Sequence, residues 1–152
     1  MLPKQHVIIG FIFSLMTYII FPISPLEATI IFLASFLIDF DHYLLYVYKK
    51  KNLSLNRALK YFYRLNNDWK KIYPRRKEYK KNIFIFHSIE TLIPLAIFSI
   101  YFPIVWFVLI GMILHLILDY SIIIKRKAPW YCKFSIILTH LKNKNKKDLP
   151  NS

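Results

Sequence analysis

Apolar stretches separated by basic or proline-marked breaks dominate this chain. They cover residues 7–23, 26–48, 83–101 and 103–124. Each approaches the roughly 20 residues that a helix needs to cross the hydrocarbon of a bilayer. Nothing alternates polar and apolar over the length of a barrel strand, so the stretches read as helices. Helices also satisfy their own backbone hydrogen bonds in lipid. Pro22 and Pro25 end the first stretch, and Phe102-Pro103 divides the third from the fourth. The pattern predicts an all-α, polytopic membrane bundle of about four spans over residues 1–124. A long connection at 49–82 and a tail at 125–152 complete the chain. The first stretch follows Lys4 as a signal peptide would, but Ser24-Pro25-Leu26-Glu27-Ala28 makes a poor cleavage site, so it reads as a span.

Charge sets the orientation. Residues 49–82 carry thirteen Lys or Arg and residues 125–152 carry eight; with Lys4 these are all 22 basic residues. The short turns near 22–27 and 102–103 carry none. The positive-inside rule places the N-terminus, the loop and the tail in the cytoplasm, which an even number of spans allows. The expected location is the cell (inner) membrane.

The basic loop has a helical pattern of its own. Leu55, Leu59 and Phe62 recur at helical spacing, and Ser54 stands where an N-cap belongs. A basic, aromatic-rich amphipathic helix suits anionic phospholipid headgroups. Lysines that only enforce topology explain the loop equally well, and nucleic-acid binding is the weaker reading. In the tail, residues 130–141 suggest an interfacial turn, and residues 143–148 read as disordered.

Composition narrows the chemistry. A 152-residue chain is 56% hydrophobic yet carries a formal net charge of +14, which fits one membrane domain with basic flanks. Two glycines leave little room for a Gly-rich phosphate loop. A single cysteine, Cys132, excludes an intrachain disulfide framework or a Cys-rich zinc knuckle, and reads as apolar filler.

The informative residues are ionisable groups inside the apolar stretches. His6 opens the first; Asp39, Asp41 and His42 interrupt the second; His87 and Glu90 sit early in the third; His115 and Asp119 sit late in the fourth. An Asp at the bilayer centre costs about 2.5–3.5 kcal/mol on insertion scales. With the spans oriented by charge, all these groups reach a similar depth near the inner surface. Taken singly, each reads as a hydrogen-bonded interface residue. Gathered at one depth, they read as a shared site between helices. His115 and Asp119, four apart, share a helix face, as do Asp39 and His42, and His87 and Glu90, each pair three apart. Imidazole with carboxylate is a ligand set for a divalent metal, zinc or manganese first. Asp41, two residues from Asp39, points away on a regular helix. Either the helix unwinds there or Asp41 orients another ligand.

These motifs resemble a known family. Met1-Leu2-Pro3-Lys4-Gln5-His6-Val7-Ile8-Ile9-Gly10 is similar to the opening His with Gly four residues later of the membrane-bound metal-dependent hydrolases, the YdjM-type inner-membrane group described as LexA-binding. Leu37-Ile38-Asp39-Phe40-Asp41-His42 resembles its Pro-Asp-x-Asp-His signature, with Ile38 in place of the proline. His87-Ser88 resembles its internal His-Ser. Gly111 to Asp119 is similar to its closing Gly-x3-His-x3-Asp pattern. The resemblance spans residues 1–124 and implies that His6, Asp39, Asp41, His42, His87, His115 and Asp119 supply one or two metal ions. Glu90, outside the pattern, is the candidate general base, one turn from His87.

The expected function is therefore a metal-dependent hydrolase at the cytoplasmic face, acting on a lipid or lipid-linked phosphoester. Two rivals come from other classes. A transporter should continue its polar path to the outer side, where only Glu27 is ionisable. A non-catalytic scaffold whose loop binds anionic lipid or a partner should hold no metal.

Overall fold

The computed structural model describes residues 3–72, 75–125 and 127–148. Among these residues the chain is all-helical, without a β-strand; one isolated bridge joins Tyr79 and Lys147. The helices are α1 (Pro3–Ile20), α2 (Pro25–Leu37), α3 (Phe40–Lys50), α4 (Leu55–Lys71), α5 (Ile89–Tyr101), α6 (Ile104–Lys125) and α7 (Ile136–Asn143). Two are long and apolar enough to cross a membrane: α2 and α3 taken together as Pro25–Lys50, and α6.

Local chemistry sets the ends. Ser24 and Glu27 form a reciprocal capping box at α2: the Glu27 amide donates to Ser24 Oγ (3.3 Å) and the Ser24 amide to Glu27 Oε2 (2.5 Å). Ser54 caps α4 by accepting from the Arg57 amide at 3.4 Å, as its position predicted. The α4 helix is longer than the pattern of the loop suggested.

The second apolar stretch is not one regular helix. At Ile38–Asp39 the backbone tightens into i→i−3 bonds, from Asp39 N to Phe36 O (3.2 Å) and from His42 N to Asp39 O (3.0 Å). The helix breaks there with Ile38 where a proline was expected. The third stretch also differs from expectation. Residues 81–88 are irregular, and α5 starts only at Ile89. Ser88 has an extended backbone (φ −109°, ψ 154°), and the hydroxyls of Ser88 and Thr91 both donate to the Ile85 carbonyl, at 2.9 and 2.6 Å. Those bonds fix a turn before the helix can begin.

Helices α1, α2 and α6 pack closely through glycine. A Cβ on Gly111 would overlap the Ile31 carbonyl oxygen and lie 2.7 Å from Ala34 Cβ. A Cβ on Gly10 would overlap Ser35 Oγ. Small residues at these two crossings let the backbones approach. One buried apolar cluster consists of Ile38, Met112 and Leu116, flanked by Phe86, Leu92, Leu95 and Val108; Ile31, Leu109 and Ile123 are buried as well. Several of the most buried side chains are polar, among them His6, Ser35, His87, Ser99 and His115. Large apolar side chains such as Ile8, Phe11, Ile12, Ile19 and Ile20 of α1, and Ile113 and Ile117 of α6, face outward.

The tail is ordered further than its composition suggested. Asn143 Nδ2 donates to the Lys81 carbonyl (2.8 Å) and the Lys81 amide donates back to Asn143 Oδ1 (2.9 Å). The Lys147 amide then donates to the Glu78 carbonyl at 3.0 Å. These bonds hold residues 143–147 against the loop, against the expectation of disorder drawn from their Lys and Asn content.

Candidate metal centre

Four segments converge on one buried cluster. The start of α1 brings His6, and the break between α2 and α3 brings Asp39, Asp41 and His42. The turn before α5 brings His87, and the second half of α6 brings His115 and Asp119. His6, Asp41, His87, His115 and Asp119 are all buried.

The helix break aims both aspartates inward, which a regular helix could not do. Asp39 Oδ1 lies 3.6 Å from His87 Nε2 and 3.5 Å from His115 Nε2. Asp119 Oδ2 lies 3.6 and 3.5 Å from the same two nitrogens. Asp41 faces the other side of His87. Its Oδ2 accepts from His87 Nδ1 (2.9 Å) and from the Phe86 amide (3.2 Å), and its Oδ1 pairs with His42 Nδ1 (2.9 Å). The helix breaks at Asp39, and Asp41, a candidate ligand by sequence, instead hydrogen-bonds the His42 and His87 imidazoles.

These partners fix the imidazole protons. His115 Nδ1 sits 2.8 Å from the Ser35 carbonyl oxygen, which only accepts, so the neutral ring carries its proton on Nδ1. His87 Nδ1 faces a carboxylate, with the same result. In the neutral form each ring presents a bare Nε2, and the two Nε2 atoms stand 3.1 Å apart. In that state the two lone pairs repel, and either a proton shared between the rings or a metal ion held together with the carboxylates removes the repulsion.

The spacing suits a metal. Ligands about 2.1 Å from a common ion are separated by about 3.0 Å at right angles and about 3.4 Å at the tetrahedral angle. The separations among His87, His115, Asp39 and Asp119 given above run from 3.1 to 3.6 Å. His6 stacks on His115 with ring centroids 4.0 Å apart and an interplanar angle of 15°. Its Nε2 is 3.4 Å from Asp119 Oδ1, yet neither of its buried nitrogens makes a hydrogen bond. An imidazole sealed from water, with Nε2 facing a carboxylate and Nδ1 without a hydrogen bond, fits a metal ligand. His42 is partly exposed, its Nδ1 also 3.4 Å from Asp39 Oδ1, and its ring stacks on Phe84 at 4.1 Å. These buried His and Asp groups can hold a metal ion, in three overlapping sets: His6, Asp39 and His115; Asp39, His42 and His87; His87, His115 and Asp119. The donor set is nitrogen and oxygen only, which suits zinc or manganese.

Glu90 lies elsewhere. The expectation that it shares a helix face with His87 fails, because His87 precedes α5. Both Glu90 oxygens serve the first turn of α7. Oε1 accepts from the Ser135 hydroxyl (2.5 Å) and the Ile137 amide (3.2 Å), and Oε2 accepts from the Ile136 amide (3.1 Å). An anion at a helix N-terminus is favourable in its own right, so Glu90 ties α5 to α7.

One residue of the cluster escaped the sequence reading. The Lys133 ammonium hydrogen-bonds Asp119 Oδ2 and lies 5.4 Å from the centre of the Phe84 ring. As one of eight basic residues in the tail, it carried no signal of its own. Its neighbour Cys132 is half-buried, and burial pushes that thiol's pKa up, in keeping with apolar filler.

Compared with known proteins, the chain matches no family model, no curated protein and no solved structure.

Proposed function

We propose that this protein is a polytopic membrane protein whose His/Asp cluster is a divalent metal site serving hydrolysis at the cytoplasmic face. The observation that carries the proposal is the pair of bare Nε2 atoms of His87 and His115, 3.1 Å apart and flanked by Asp39 and Asp119. One divalent ion held by both nitrogens and both carboxylates would satisfy all four groups at once. The resemblance of residues 1–124 to the YdjM-type hydrolases agrees with this reading.

The membrane part rests on the distribution of side chains. Only 28% of the most apolar window of Pro25–Lys50 and 39% of that in Ile104–Lys125 is buried within the protein. Most of their apolar surface therefore faces outward, while histidines, serines and aspartates share the interior with Ile31, Leu109 and Met112. That inversion suits lipid as the surrounding solvent. Helices α1 and α5 are the other two spans. At 13 residues, α5 is about 20 Å long, so the irregular leg before it supplies part of the crossing. All basic segments then lie on the side where His6, Asp39, His87 and Asp119 meet.

His87 and His115 supply imidazole nitrogens, Asp39 and Asp119 supply oxygens, and His6 completes the set. Asp41 and the Ser35 carbonyl hold the two rings in the required tautomer. A bound divalent ion would supply Lewis acidity, polarising a phosphoryl or acyl oxygen and lowering the pKa of a water toward neutrality. A lipid or lipid-linked phosphoester is the substrate class. An apolar groove of about 340 Å³ lies between α2 and α6 and includes Ile38, Phe86 and Met112. Ile38 and Phe86 adjoin Asp39 and His87 in the chain, so the groove can take a chain whose headgroup reaches the cluster. Anionic phospholipid headgroups are the partner of α4, whose exposed Leu55, Leu59 and Tyr63 run beside a strip of Arg57, Lys60 and Arg64.

Elemental analysis of detergent-purified protein tests the metal site, with wild type beside the Asp39→Ala/His115→Ala double variant. Stoichiometric zinc or manganese in the wild type and a large loss in the variant are expected. Equal content in both, or none in either after metal supplementation, overturns the reading. Hydrolysis of a chromogenic phosphodiester, absent in the variant, then tests the reaction.

A further inference from the structure

The C-terminal segment places a lysine on the cluster, and it is firmly held there. The Trp130 carbonyl accepts from the Tyr120 hydroxyl (3.3 Å), and the Phe134 carbonyl accepts from the Ile89 amide (2.9 Å). Glu90 caps the helix that follows, and Asn143 pairs with Lys81 in both directions. Residues 130–143 thus form a strap beside the cluster, tied on both sides of Lys133. The Lys133 side chain is only 16% exposed.

A lysine that merely enforced topology would keep its ammonium in water or among headgroups. Lys133 is instead desolvated against Asp119 Oδ2, the atom 3.5–3.6 Å from both bare imidazole nitrogens. A buried ion pair roughly breaks even against its desolvation, so stability alone gives little reason for this placement. A metal at the cluster changes the balance. Two cations cannot both lean on Asp119 without repelling each other. An anionic oxygen set between them relieves that repulsion and neutralises both. The lysine ammonium, a compact point charge with three donors, suits a phosphoryl oxygen.

Resting on the metal reading above, we propose that Lys133 forms an anion subsite beside the metal. It would bind a non-bridging phosphoryl oxygen of a lipid headgroup or of free phosphate. The C-terminal strap is then part of the site and not a passive tail. Lys133 is the only residue from beyond α6 that contacts the cluster among the contacts described above.

The test uses the full chain in nanodiscs of neutral lipid, loaded with one equivalent of zinc. Metal content is measured for wild type, Lys133→Gln and Lys133→Arg. Each is then titrated calorimetrically with inorganic phosphate and, in parallel, with a short-chain phosphatidic acid. Lys133→Gln is expected to keep its metal and lose at least about tenfold in phosphoryl affinity, the loss of one charged hydrogen bond. Lys133→Arg should recover most of that affinity. Tighter binding of the phosphatidic acid assigns the subsite to a headgroup, and equal binding assigns it to free phosphate; either supports the proposal. Unchanged phosphate affinity in metal-loaded Lys133→Gln overturns it and leaves Lys133 as a counter-ion of Asp119. Loss of metal in that variant also overturns it. A wild-type chain that takes up no zinc removes the metal reading itself, a result visible before any phosphate is added. If Lys133→Gln fails to fold, Lys133→Met keeps the apolar stem over Phe84 and makes the same comparison.

Discussion

Asp41 Oδ2 accepts the Nδ1 proton of His87 at 2.9 Å, and this bond decides which nitrogen of His87 is bare. Asp41 is only two residues from Asp39, yet the two act on opposite sides of the same ring. The i→i−3 turn at Ile38–Asp39 makes that possible.

Asp41→Asn should therefore lower metal affinity without removing a ligand. Carboxylates that orient ligating imidazoles typically contribute 10–100-fold, so a loss of about that size is expected. Competition with a chromophoric chelator measures it. An unchanged affinity would mean that Asp41 has no hold on the imidazole chemistry.

The two glycine crossings predict unequal costs. At Gly111 a methyl group meets the Ile31 carbonyl and Ala34 Cβ, which cannot rotate away. Gly111→Ala should destabilise by about 1–3 kcal/mol through overpacking. At Gly10 the overlap is with the Ser35 hydroxyl, which can turn aside, and the fixed Ser35 Cβ is 3.0 Å away, so Gly10→Ala should cost less. Thermal melts of the two variants in one detergent make the comparison. A larger loss for Gly10→Ala would show that the backbones cross differently.

Glu90 predicts a local effect. Glu90→Ala removes the acceptor of the Ile136 and Ile137 amides, a loss of about 0.5–2 kcal/mol by analogy with helix caps. Hydrogen exchange should accelerate in α7 while metal content stays stoichiometric. Loss of metal with α7 still protected would instead place Glu90 in the site.

The α4 surface predicts depth. A nitroxide at Leu59→Cys, in a Cys132→Ser background, should sit at the headgroup level of anionic nanodiscs. It should relax strongly with oxygen and with a nickel-chelating lipid, and weakly with water-soluble nickel. Strong relaxation by the soluble reagent alone would place α4 in water and leave its lysines a topological role.

Much of the site was legible because ionisable groups in apolar stretches are costly, and His6, Asp39, His87, His115 and Asp119 stand out for that reason. The fourth stretch became α6 nearly as its limits predicted. The turn at residues 85–88 was not legible. It depends on hydroxyls of Ser88 and Thr91 reaching one carbonyl, and the apolar sequence around them reads as continuous helix. That turn moved His87 off α5 and left Glu90 facing α7. Lys133 was hidden by number, since one lysine among many basic neighbours says nothing about which is folded inward. The order of residues 143–147 was missed because it comes from backbone and Asn143 amide bonds to the loop, which composition does not record.

X-ray absorption at the zinc edge of the loaded wild-type protein tests the central claim most directly. The account predicts nitrogen and oxygen ligands at roughly 2.0–2.1 Å with the multiple-scattering signature of at least two imidazoles, reduced in His87→Ala and in His115→Ala. A spectrum without imidazole scattering, or one unchanged by both substitutions, would contradict it.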